Sequence, residues 1–248
     1  MDVLVIAPHP DDECLGAGGT IAGLADDGAR ITVLTVGGHL PPLYPPGVHE
    51  EAVADARRAH RILGVTESVF LDFPAVVLAR YPVATLNGAV QEVVDATRPR
   101  IVLIPFPDRH VDHRAVFEAA MVATRPVRAG RDTTMVAMYE TLSETYWNAP
   151  GAEPTFSPTW TVDISATIDR KTRALAEYRA QVSEFPGPRS TEAARALALF
   201  RGSQSSVPYA EAFQIARATF APTALIRPGP GREGDREPAA EPDRGTTP

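Results

Sequence analysis

Two short stretches of the sequence gather side chains that bind metals and move protons: Pro8-His9-Pro10-Asp11-Asp12-Glu13 and Asp108-Arg109-His110-Val111-Asp112-His113. His9 and Asp12 are three residues apart, so on a tight turn an imidazole and a carboxylate converge on one ion. His110 and His113 have the same spacing and share one side of a first helical turn. Brought together, His9, Asp12 and His113 form a set of three protein ligands with an open fourth position, as in a catalytic Zn2+ site. Two histidines and one carboxylate also suit Fe2+. Such a metal brings the pKa of a bound water down towards ~7. Asp11, set between the ligands, is then the candidate general base, a role worth ~10²–10⁴ in rate. A protonated His110 is the candidate donor to the developing oxyanion, and Asp112 the carboxylate that holds its ring. The plain alternative is that Asp11, Asp12 and Asp112 cap helices while the histidines sit in turns. Both stretches combine His with Asp in a chain of only 6 His, which favours the metal.

The elements that must position these groups follow a repeating pattern. Apolar runs at 3–7, 31–36, 69–71, 101–104 and 135–139 lack alternation, as expected of strands buried on both faces. Between them lie helical stretches at 20–27, ending at Gly28, at 50–63, closed by Gly64, at 85–97, broken before Pro99, and at 113–124. Strand and helix in alternation predict an α/β fold, with a mostly parallel sheet and helices on both faces. Ligand sites of such sheets lie outside the carboxyl ends of the strands, where both His/Asp stretches fall. Beyond residue 141 the rhythm changes to a loop at 148–158 and an alternating edge strand at 160–164. A helical C-terminal section follows, at 168–185 and 191–200, with Pro186-Gly187-Pro188 between. Residues 228–248 hold five Pro, four Gly and eight charged side chains and no Leu, Ile, Val or aromatic, so a single domain over 1–227 with a disordered tail is expected.

Composition narrows the function classes. With 24 Lys+Arg against 31 Asp+Glu the formal charge is −7, which argues against a nucleic-acid partner or an anionic membrane surface. A single cysteine, Cys14, excludes a disulfide framework and a Cys-rich zinc module, and beside Glu13 it reads as packing. No apolar run approaches the about 18 residues of a membrane span, and none has the form of a signal peptide. A cytoplasmic protein is expected, with homo-oligomerisation left open.

The paired stretches resemble the two signature motifs of the PIG-L (LmbE-like) family of metal-dependent N-deacetylases, usually A-H-P-D-D-E and H-x-D-H. Only Pro8 departs from the first. The resemblance covers about residues 2–218 and includes Gly16-Ala17-Gly18-Gly19, Leu63-Gly64 and Tyr209-Ala210-Glu211-Ala212-Phe213. It implies a Rossmann-like fold and removal of an N-acetyl group from an amino sugar or its glycoside, a small-molecule partner. It also implies His9, Asp12 and His113 as metal ligands, Asp11 as base and His110 as oxyanion stabiliser. One departure bears on substrate. Members acting on thiol-linked pseudodisaccharides or lipid-linked glucosamine often carry an Arg early in the second helix; here that stretch reads His49-Glu50-Glu51, with Arg57 and Arg58 later. Two other readings are a metal-dependent amidase that cleaves a larger acyl group or a thiol-conjugate amide, and a non-catalytic sugar-binding module. A general base at Asp11 argues against the second.

Residues outside the two motifs carry weaker signals. The glycine run is no dinucleotide fingerprint, since position 21 is Ile and the second strand ends Val36-Gly37-Gly38-His39 without an acid. Its glycines are expected to let the helix start approach the metal loop. Tyr146 and Trp147 are candidates to stack on a sugar ring, against a loop-anchoring role. Asp72, at the end of the third strand, is a candidate for sugar hydroxyls, against capping a turn before Pro74.

Overall fold

All five apolar runs form parallel strands in a computed structural model, which describes residues 1–149 and 151–221. They are β1 (Asp2–Ala7), β2 (Arg30–Gly38), β3 (Glu67–Pro74), β4 (Ile101–Pro105) and β5 (Met135–Tyr139). Two antiparallel strands complete the sheet, β6 (Trp160–Asp163) and β7 (Ala210–Ala218), giving the order β3-β2-β1-β4-β5-β7-β6. The expected edge strand is the terminal β6. Along β1, Val3 and Val5 enter one core while Leu4 and Ile6 enter the other. The first core is covered by α1 (Asp12–Asp26), α2 (Val48–Leu63) and α5 (Ile168–Leu175), through Leu15, Ile21, Ala56, Leu63 and Leu175. The second is covered by α3 (Val83–Thr97) and α4 (Val111–Ala123), through Leu86, Val90, Val116 and Ala120. The last helix among the described residues is α6 (Thr191–Ser203). The strand order reverses direction between β1 and β4, which opens a crevice at their carboxyl ends. Both His/Asp stretches emerge there.

Three expectations change. First, α1 extends from Asp12 through the helical stretch expected at 20–27, so the glycine run lies inside the helix and serves other neighbours than the metal loop. A Cβ on Gly16 would meet the Tyr139 ring at 2.1 Å, and one on Gly19 would meet Ile164 at 2.8 Å. Second, the helix expected over 168–185 stops at Leu175. The chain after it is tied down by side chains instead: Arg58 pairs with Glu177 at 2.8 Å, and the Arg179 amide reaches Asp55. Third, β7 was not legible as a strand. Residues 228–248, expected to be a disordered tail, lie outside the described residues. Met1–Ala218 form one compact unit, and among the described residues no helix is long and apolar enough to cross a membrane.

A buried ion pair closes the helix bearing the first motif against the C-terminal section. Lys171 of α5 donates to the Leu15 carbonyl at 2.9 Å and to Glu211 of β7 at 2.5 Å. Glu211 in turn accepts the Gly19 and Thr20 amides at 2.9 and 2.7 Å. Lys171→Met leaves that carboxylate buried without its cation, at a cost of about 3–5 kcal/mol. At ~2–4 °C per kcal/mol for a chain of this size, thermal unfolding should shift down by roughly 6–20 °C. A loss under about 2 °C would show the pair to be energetically idle.

Candidate metal centre

Each motif is a strand-to-helix turn whose backbone is fixed by its own acids. After β1, Asp11 adopts φ 109°, a left-handed conformation that a non-glycine residue holds only at a cost. Its amide donates to Glu13 Oε2 at 3.3 Å, and the His9 amide donates to Asp12 Oδ2 at 3.0 Å. Glu13 is fully buried, with the Tyr178 hydroxyl donating to Oε1 and His60 Nε2 3.4 Å away. After β4, His110 caps α4, and its Nδ1 accepts the Asp112 amide at 3.2 Å.

The two turns meet around one oxygen. Asp12 Oδ2 lies 3.3 Å from His9 Nδ1 and 3.4 Å from His113 Nε2. Donors bonded to one tetrahedral metal at ~2.0–2.1 Å stand roughly 3.3–3.4 Å apart. The far nitrogen of each ring is already committed: His9 Nε2 to Asp112 Oδ2 at 2.9 Å, and His113 Nδ1 to Asp108 Oδ2 at 3.0 Å. That fixes both tautomers and turns the remaining lone pairs towards Asp12. His113 Nε2 is buried and has no hydrogen-bond partner. The donor set therefore fits a metal ion.

Electrostatics point the same way. Burial pulls His9 down, but Asp112 and Asp12 outweigh it and carry it to about 9. Burial likewise opposes a charged His113, yet Asp12 and Asp108 carry it to about 10. Burial opposes ionisation of Asp12 too, but His113 and His9 hold it well below the usual carboxylate range. The cluster thus draws positive charge to its centre. Asp11, beside it, is pushed up to about 8 by burial, against the pull of Arg189.

His110 was expected as a cation, a charge that its surroundings oppose. Its ring sits 4.7 Å from that of His9 and 4.9 Å from that of His113, and one nitrogen of each of the three rings falls within 4.8 Å of the others. Burial, then His9 and His113, push it down to about 4. Because Nδ1 receives an N–H, the neutral ring carries its proton on Nε2. Asp112 also differs: its carboxylate reaches His9 and the Val76 and Leu78 amides, not the His110 ring.

Asp108 received no role from the sequence, yet it supports both histidines of the second motif. Its Oδ1 accepts the His110 amide at 2.9 Å, and its Oδ2 accepts His113 Nδ1 and the Thr145 hydroxyl at 3.1 Å. Asp108→Ala should weaken metal binding about 10–100-fold, measured by competition with a chelator of known affinity. Unchanged affinity would mean that His113 is oriented by packing alone.

A cavity of about 60 Å³ opens on this cluster, lined among others by Asp11, His39, Tyr44, Val76, His110 and Arg189. The expected sugar contacts are not among its lining residues. Asp72 is exposed and pairs with His49 Nε2 at 3.3 Å. The Tyr146 hydroxyl is drawn into the buried Glu140–Arg201 pair, where it takes a hydrogen bond from Arg201 at 2.6 Å. Trp147 is exposed, with the Arg109 guanidinium 5.7 Å from its ring centroid. Arg189, His39 and Tyr44 were missed, since each comes from a loop with no motif of its own.

Comparison with known proteins gives a consistent picture. Residues 4–124 match the family model PIG-L, described as GlcNAc-PI de-N-acetylase. The chain is 31% identical over 237 residues to diacetylchitobiose deacetylase of Thermococcus kodakarensis, covering 88% of this chain and 84% of that protein. It is 30% identical to 1D-myo-inositol 2-acetamido-2-deoxy-alpha-D-glucopyranoside deacetylase of Actinosynnema mirum, covering 73% of this chain and 81% of that one. Among solved structures, a conserved protein from Thermus thermophilus superposes with a TM-score of 0.71 at 31% identity, over 90% of this chain and 98% of the other.

Proposed function

This chain belongs to the PIG-L family, and on that premise we propose that it is a metal-dependent hydrolase that removes the N-acetyl group from a small amino sugar or its glycoside, releasing acetate and a free amine. The observation that carries the reading is Asp12 Oδ2 at tetrahedral-edge distances from two histidine nitrogens, with Asp11 beside it in a cavity of about 60 Å³. His9, Asp12 and His113 would hold the ion, with zinc the first candidate and Fe2+ suited to the same donors. When bound, the metal supplies Lewis-acid polarisation and a lowered pKa for water.

The chain's own groups do the rest. Asp11 takes a proton from the attacking water as general base and returns it to the amine nitrogen as the C–N bond breaks. His110 donates its Nε2 proton as a hydrogen bond to the developing oxyanion, a role a neutral ring fills. Asp112 and Asp108 hold the His9 and His113 rings, and Glu13 fixes the turn from which Asp11 projects. The small cavity suits an acetyl group better than the longer chains of an amidase with larger acyl substrates. A cytoplasmic setting accords with a single, buried, unpaired cysteine. The test is acetate release by metal-loaded protein from N-acetylglucosamine, its β-1,4 dimer and simple glycosides. Turnover of one or more supports the proposal; no acetate from any, with metal bound, overturns it.

A further inference from the structure

We propose that Arg189 selects the substrate by binding a neutral hydroxyl on the sugar carbon next to the acetamido-bearing carbon, together with Asp11; this deepens the reading above and rests on it. Arg189 lies between α5 and α6, outside residues 4–124 matched by the family model. Its guanidinium is anchored on one side. Nε donates to Ser143 Oγ at 3.0 Å and Nη2 to Glu144 Oε1 at 3.5 Å. Nη1 makes no hydrogen bond among the described residues and stands 3.8 Å from Asp11 Oδ2, too far for one. Asp11 Oδ2 is itself buried without a partner. A half-buried donor and a buried acceptor thus face each other across a gap at the wall of the reaction cavity.

An oxygen about 2.8 Å from each atom bridges such a gap, and it must accept from Arg189 while donating to Asp11. A hydroxyl does both. A carboxylate or phosphate oxygen only accepts, and it would face Asp11 and Glu144, both buried. An ammonium group would face the guanidinium. The fitting ligand is therefore uncharged and bears a free hydroxyl. The gap adjoins the base, so that hydroxyl belongs to a carbon next to the one carrying the acetamide. In a glycoside the carbon-1 oxygen can only accept, which leaves the hydroxyl on carbon 3. One oxygen of Asp11 suffices for this contact, and the other, Oδ1, is left for the water proton.

The test compares N-acetylglucosamine or its glycoside with the 3-deoxy analogue, using wild type, Arg189→Met and Arg189→Lys, with metal content and unfolding temperature recorded for each. Wild type should lose about 10–100-fold in kcat/KM on the deoxy substrate, because a buried carboxylate and the half-buried guanidinium facing it go unpaired. Arg189→Met should lose a similar factor on the full substrate and almost nothing further on the analogue; Arg189→Lys should recover part of the discrimination. Losses that multiply independently overturn the inference. So does wild-type indifference to the hydroxyl, the result if only a water fills the gap, and that comparison needs no variant to fold. Acetate release with multiplying losses sinks this inference alone, whereas no release from any N-acetylated sugar sinks the proposed function with it.

Discussion

Stripped of metal by a chelator and dialysed, the protein should lose at least about 10³-fold in acetate release, and Zn2+ or Fe2+ should restore it. The size follows from several kcal/mol of charge stabilisation that a Lewis acid supplies, at 1.36 kcal/mol per tenfold. The variant that isolates the site is His113→Ala. His113 Nε2 is buried without a partner, and Asp108 already takes the proton on Nδ1. Removing the ring deletes one of two nitrogen donors at the 3.3–3.4 Å spacing from Asp12 Oδ2. Metal per chain, measured by elemental analysis after gel filtration, should fall well below the wild-type value. Full turnover by protein shown to be metal-free would remove the metal from the mechanism. A His113→Ala protein with unaltered metal content would move the ligand set to other residues, His110 first among them because its ring stands 4.9 Å from that of His113.

How much of this was legible in the sequence depended on whether the signal was local. The strands bearing the motifs are continuous apolar runs, and burial on both faces leaves such runs no other place than the middle of a parallel sheet. β1 and β4 could therefore be read, and with them the crevice where both motifs lie. β7 could not: four of its nine residues are Ala, which favours strands little, and Lys171 and Glu211 fix its place through contacts 40 residues apart. The helix over 168–185 was overextended because propensity says nothing of Arg58 reaching Glu177 from another helix. Within the site, residue types and i, i+3 spacing brought His9, Asp12 and His113 together. They did not say which ring Asp112 would hold, since its partner His9 is 103 positions away. Tyr146 and Trp147 were read from aromatic character alone; both rings are exposed, and the Tyr146 hydroxyl is held by Arg201. Arg189 had no pattern to betray it; only the folded chain brings it beside Asp11.

Asp11→Asn should keep the metal and lose about 10²–10⁴ in kcat, the range of a lost general base. The substitution is close to isosteric, and Asn tolerates the left-handed backbone that Asp11 occupies at φ 109°. The amide that donates to Glu13 belongs to the backbone and survives the change, so the turn keeps its support from Tyr178 and His60. Unfolding temperature should therefore stay within a few degrees of wild type, and the rate loss reports chemistry. What separates Asp11 from its neighbour is contact. Asp12 Oδ2 stands within 3.4 Å of both His9 and His113, whereas Asp11 Oδ2 has no hydrogen-bond partner and faces the cavity beside Arg189. On the proposed reading, ligand and base are distinguished by what each carboxylate touches, although the two are adjacent in sequence. Asp12→Asn is the matched control: it should lower metal content, and its activity should fall with occupancy. The decisive comparison is metal stoichiometry in the two variants measured side by side. If Asp11→Asn loses the ion and Asp12→Asn retains it, the two aspartates have exchanged roles, and the base must be sought at Asp12.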